Sequence, residues 1–147
     1  MTLSFLRWWG PLLAYMLVIF LVSSASRPAL LQYAPDYMWH FVGYFVMGLL
    51  AIRAFARGLE YPAGGKAALF GVMLALVYAM SDEWHQSFVP GRVASFQDIT
   101  ADAMGIISAV VALYIGWSWK ATAGEPSAVA QARSRRSDRP GGGAPGH

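Results

Sequence analysis

The chain of 147 residues is 56% hydrophobic and only 13% charged, against roughly a quarter charged in an ordinary soluble domain, so it reads as a membrane protein of one domain at most. The net charge of +3 comes mostly from arginines near the C-terminus. It reads as a topology signal or an attraction to anionic lipid, and no nucleic-acid partner is expected. The chain has no cysteine, which excludes disulfides, thiolate metal sites and cysteine nucleophiles.

Four apolar runs follow one another, near 8–22, 38–55, 67–80 and 99–119. A membrane-crossing helix needs roughly 20 residues, so the runs are extended to predicted helices at about 8–24, 37–57, 66–88 and 98–119. The expected fold is an all-α integral membrane protein: a small bundle of about four transmembrane helices over 1–120, followed by a disordered cytoplasmic tail at 121–147. The first helix has a second interpretation. Arg7, the apolar core "LLAYMLVIFLV" and the small residues Ser23-Ser24-Ala25 have the layout of a cleaved signal peptide. The interfacial pair Trp8-Trp9 and Pro11 suit a retained anchor better. The third run is too short alone and needs "SDEWHQSF" to complete a span, which carries its polar end into the bilayer boundary. Past residue 121 the chain is rich in Ala, Gly, Ser, Pro and Arg and lacks the apolar surface to build a core.

Basic residues set the expected orientation. Arg7, Arg53, Arg57, Lys66, Lys120, Arg133, Arg135, Arg136 and Arg139 fall on one side of a four-span layout, and Arg27 and Arg92 on the other. This bias places both termini in the cytoplasm of a multi-pass cell-membrane protein. The unusual polar residues then gather on the outer side. Asp36, His40 and Tyr44 follow at four-residue spacing on helix two; Asp82, Glu83, His85 and Gln86 close helix three. Arg92 sits in the connection "SFVPGRVASFQ", where Pro90-Gly91 reads as a turn, and Asp98 and Asp102 open helix four. Trp84 should point away from the others, towards lipid.

Each residue also has a plainer role. Asp36 and Asp98 could be N-caps, His40 a packing histidine and Arg92 an interfacial lipid contact. Asp82 and Glu83 resist that treatment, because acids near a helix C-terminus oppose its dipole. Asp102 resists it too, being a full turn inside helix four. Ionisable groups in membrane helices are expensive and tend to face a bundle interior or a wet cavity. The ten residues Asp36, His40, Tyr44, Asp82, Glu83, His85, Gln86, Arg92, Asp98 and Asp102 are therefore the candidate ligand-binding set.

"DYMWHFVGYFVMG", "SDEWHQSFVPGR" and "DITADAMG" together resemble the VanZ-like membrane protein family, in the order and spacing of its Asp-x-x-x-His-Phe-x-x-Tyr, Glu-x-x-Gln…Pro-Gly-Arg and Asp-x-x-x-Asn-x-x-Gly stretches. "IFLVSSASRP" fits its Ser-Ser…Pro pattern, and the resemblance covers about 11–118. Asp36, His40, Phe41, Tyr44, Glu83, Gln86, Arg92, Asp98 and Gly105 occupy matching positions. Tyr37 stands where the family often has Lys, and Asp102 where it usually has Asn, which adds a negative charge. The resemblance implies a small cell-envelope membrane protein with a retained first helix. Through the founding member it also implies a link to glycopeptide-antibiotic tolerance.

Three functions stay open. The outer-face cluster could bind an anionic membrane lipid or a lipid-linked cell-wall intermediate, with the planar Arg92 fork suited to phosphate. It could be the site of a hydrolase or transferase acting on a lipid-linked phosphate, with Glu83, His85 and Asp98 as catalytic candidates. In that case His40, His85 and Glu83 are candidate ligands of a divalent metal. Or it could be a salt-bridge network that only braces the helices.

Overall fold

The computed structural model describes residues 2–26, 33–59 and 62–124. Four helices account for most of them: α1 (Thr2–Ser23), α2 (Asp36–Ala56), α3 (Gly65–Gln86) and α4 (Phe96–Gly124), with no strand among the described residues. All four are long and apolar enough to cross a membrane. Successive helices run in alternating directions, so the C-terminal ends of α1 and α3 share one end of the bundle with the starts of α2 and α4.

Helix ends differ from the predicted ones in ways the residues explain. α1 starts at Thr2 and carries Pro11 inside it; a membrane helix tolerates the lost hydrogen bond. α4 continues past Lys120 to Gly124, because the Ala-Thr-Ala run there carries no breaker. The segment expected to be a disordered tail lies outside the described residues from 125 on, as do Arg27 and Glu60. Asp36 is the first helical residue of α2, not its cap: Pro35 holds the cap position with no side-chain cap bond.

The core is made of small side chains and few large ones. Leu12, Tyr44, Met47, Ala51, Ala54, Ala75, Ala79 and Ile106 are buried together. Small residues let helix backbones approach closely where no hydrophobic effect drives them together. The closest approaches fall at two glycines. A Cβ on Gly105 would overlap the carbonyl oxygen of Phe41 and lie 2.9 Å from the Phe45 nitrogen. A Cβ on Gly71 would lie 2.8 Å from the Ile52 backbone. The two glycines thus seat α4 and α3 directly against α2. α1 is the least embedded helix: of its described residues, only Leu12 and Ser23 are buried. Leu17, Val77, Ile107 and Val111 face outward with many other large apolar side chains, as lipid contact requires.

Candidate functional site

Periodicity explains which side chains meet at the shared end of the bundle. Asp36, His40 and Tyr44 lie on one stripe of α2 because residues four apart share a helix face. Facing them from α3 are Asp82, Glu83 and Gln86, all at most 5% exposed, and from α4 Asp98 and Asp102, at 6% and 0%. Trp84 is 70% exposed and packs edge-on to Phe88, away from this group as predicted.

The His40 ring is the hub. Its Nδ1 lies 2.9 Å from Asp102 Oδ1. A carboxylate oxygen only accepts, so Nδ1 carries the proton and donates it to Asp102. The other ring nitrogen, Nε2, faces two more carboxylates. It stands 3.8 Å from Glu83 Oε1 and 3.9 Å from Asp36 Oδ1. The Tyr44 ring lies parallel to the imidazole, with centroids 6.4 Å apart.

A second chain of bonds joins the loop before α4 to the group. The backbone N–H of Arg92 bonds the Val89 carbonyl at 3.1 Å, and Gly91 takes a φ of +82°. This is the geometry of a Pro-Gly turn whose third residue needs positive φ. The turn aims the guanidinium back at the helices. Its Nη1 donates to Asp36 Oδ2 at 3.0 Å and its Nη2 to Gln86 Oε1 at 2.7 Å. Gln86 Nε2 donates in turn to Asp82 Oδ2 at 3.1 Å and to Ser23 Oγ at 3.4 Å. The Ser95 N–H donates to Glu83 Oε2 at 2.9 Å, so the start of α4 is pinned to the end of α3.

His85 stands apart. Its Nε2 lies 3.0 Å from the Oγ of Ser24, just past the end of α1, and its ring stacks on Phe20 of α1 at 4.8 Å. Among the described residues, two groupings of carboxylates and imidazole have metal-ligand spacing: Asp36, His40 and Asp98, and His40, Glu83 and Asp102. His85 belongs to neither grouping. The contributions of Ser23, Ser24 and Ser95 went unassigned in the sequence. The first two lie in the Ser-Ser…Pro stretch of the resemblance, so a signal for them existed.

The network is not closed. Tyr44 Oη, Glu83 Oε1, Arg92 Nε and Asp102 Oδ2 are buried without a hydrogen-bond partner. Beside them a cleft of about 300 Å³ runs between α1 and α2. Its walls are apolar, formed among others by Tyr15, Val18, Ile19 and Val42, while Ser23, Asp36, His40, Asp82 and Arg92 supply polar lining.

The VanZ/LLP1 family model matches residues 5–117. The chain belongs to the VanZ/LLP1 family. Searches of curated proteins and of solved structures found no match. With four helices able to cross a membrane, this VanZ/LLP1 protein is a multi-pass membrane protein, and the matched region contains every member of the polar cluster. Asp102, the departure from the family's usual Asn, accepts the His40 bond with one oxygen and leaves the other buried and unpartnered. An asparagine could accept the same bond through its carbonyl without the added charge.

Proposed function

We propose that this VanZ/LLP1 protein binds a membrane amphiphile, its chain lying against the apolar walls of the α1–α2 cleft and its headgroup at the polar residues. The carrying observation is the cleft itself, which combines apolar lining with Asp36, His40 and Arg92. Pockets of this kind, mostly apolar with a few convergent polar groups, are what small-molecule sites look like. Arg92 favours a phosphate-bearing headgroup, which includes anionic lipids and lipid-linked envelope intermediates. Its Asp36 partner has a side chain 34% exposed and is the contact a phosphate would displace. With the arginines of the opposite end in the cytoplasm, the cleft serves the outer leaflet. A role at the cell envelope and in glycopeptide tolerance rests on the family name, and a lipid-linked intermediate is the ligand that would connect them.

A bracing role alone fits less well, because a partly satisfied buried polar network is worse for stability than an apolar core. The enzymatic alternative draws on one observation. An imidazole held by Asp102, with its second nitrogen near Glu83, is placed as an acid–base residue would be.

Substituting Val18→Trp tests the binding proposal. Val18 lines the cleft, is 52% exposed and belongs to no polar bond. Native mass spectrometry of the detergent-purified chain, exposed to phosphatidylglycerol, a polyprenyl phosphate and phosphatidylcholine, should show retained phosphate-headgroup anionic lipid. The variant should retain about tenfold less while melting within a few degrees of the parent. Equal retention by both proteins, or equal retention of phosphatidylcholine, contradicts the proposal.

A further inference from the structure

Charge does not balance at the polar end of the bundle. Asp36, Asp82, Glu83, Asp98 and Asp102 meet there, against one guanidinium and one imidazole. Buried carboxylates without counter-charge carry a large desolvation cost. Gln86 and the Ser95 N–H satisfy some of the oxygens, but Glu83 Oε1 remains without a hydrogen-bond partner on a side chain only 3% exposed, and it faces the second ring nitrogen of His40. A divalent cation taking the place of a proton between these two atoms, 3.8 Å apart, would give Glu83 Oε1 the partner it lacks.

We propose that His40 Nε2, Glu83 Oε1 and the carboxylates of Asp36 and Asp98 hold one divalent transition cation. Three helices supply the donors: Asp36 and His40 from α2, Glu83 from α3 and Asp98 from α4. Donor atoms of Asp36, His40 and Asp98 lie within 4.8 Å of one another, and Nε2 is 3.8 and 3.9 Å from the Glu83 and Asp36 oxygens. An ion about 2.2 Å from each of two donors spans the His40–Glu83 or the His40–Asp36 gap at an angle of roughly 120°; Glu83 and the Asp36–Asp98 pair fall in separate groupings around His40, so holding one ion draws them together. Asp102 is a positioning residue in this arrangement. Histidines that ligate metals almost always donate the other ring N–H to a carboxylate or carbonyl, as Nδ1 does here at 2.9 Å.

The donors also limit the choice of ion. One imidazole with several carboxylates and no sulfur suits Mn²⁺ or Zn²⁺ better than soft Cu⁺, while the nitrogen ligand disfavours Mg²⁺ and Ca²⁺. Asp36 and His40 line the cleft, which gives an ion a path in. The cation deepens the proposed function, on which its role with a headgroup rests: it adds to Arg92 the positive charge that a phosphate needs beside five acids.

The test uses the full chain in detergent, stripped with EDTA and titrated with Mn²⁺ and Zn²⁺ without added lipid. Calorimetry should give about one equivalent per chain, and electron spin-echo modulation of the Mn²⁺ form should show coupling to an imidazole nitrogen. Glu83→Gln and His40→Ala should each weaken uptake about tenfold or more, His40→Ala should remove the nitrogen coupling, and His85→Ala should change neither. If His40→Ala fails to fold, the nitrogen coupling of the parent and the Glu83→Gln titration decide alone. No uptake by the folded parent, no nitrogen coupling, or unchanged affinity in Glu83→Gln overturns the cation. Lipid retention without metal uptake removes the cation and keeps the amphiphile; metal uptake without lipid retention does the reverse.

Discussion

Glu83 carries more of the account than any other residue. One oxygen accepts the Ser95 N–H at 2.9 Å and the other faces His40 with no partner. In a brace, that second oxygen would be a defect. Replacement by Gln keeps an acceptor for Ser95 and removes a buried charge. Glu83→Gln should therefore hold or raise the melting temperature of the metal-free protein, by a few degrees for roughly 1 kcal/mol of relieved penalty. A marked fall in the detergent melt would instead identify the carboxylate as structural. Arg92 shows the limit of reading residues singly. Its fork could be assigned to a phosphate from chemistry alone, but in the structure Asp36 and Gln86 occupy both terminal nitrogens.

At the scale of elements, α2 is the platform. α3 and α4 touch its backbone at Gly71 and Gly105, and the His40–Asp102 bond lies one turn from the second contact. A methyl at Gly105 would meet backbone atoms that cannot give way, so Gly105→Ala should destabilise the fold by about 1–3 kcal/mol. Gly116→Ala is the control. No atom lies within 4 Å of its added Cβ, and the better helix propensity of Ala makes it neutral or stabilising by up to about 1 kcal/mol. Detergent melts of the two variants check both; a tolerated Gly105→Ala would mean that α2 and α4 are looser than described.

The same scale explains what the sequence made legible. Four helices followed from apolar run lengths, and the inward course of α3 through Asp82, Glu83 and Gln86 followed from the shortness of its apolar part. Ends were less readable, since hydropathy does not report where backbone bonding stops: α1 begins at Thr2 and α4 runs to Gly124. His85, grouped by sequence with Asp82, Glu83 and Gln86, makes its contacts with Phe20 and Ser24. At about 100° per residue, it lies some 200° around the helix from Glu83, and only the placement of α1 turns that side towards Ser24. Which helix packs against which face is not encoded in periodicity, so partners were harder to read than stripes.

For the molecule as a whole, the two ends of the bundle differ in character. Arg7 and Arg53 flank Trp8 at one end, their guanidinium carbons 4.7 and 5.1 Å from its ring centroid, and Arg53 also donates to the carbonyls of Arg7 and Trp8. Arg57, Lys66 and Lys120 lie near the same end by helix direction. Acids gather at the other. The proposed orientation puts the basic end in the cytoplasm, following the positive-inside rule, and would open the acid-rich site to the outer leaflet, where envelope amphiphiles would be met. Whether the site can serve such a ligand depends first on that placement. The absence of cysteine makes the check clean: Ser87→Cys and Gly64→Cys put single thiols at exposed positions on the acidic and basic ends. In intact cells a membrane-impermeant maleimide should label Ser87→Cys and leave Gly64→Cys unreacted until the membrane is opened; labelling of Gly64→Cys with Ser87→Cys protected would contradict an outer-leaflet site.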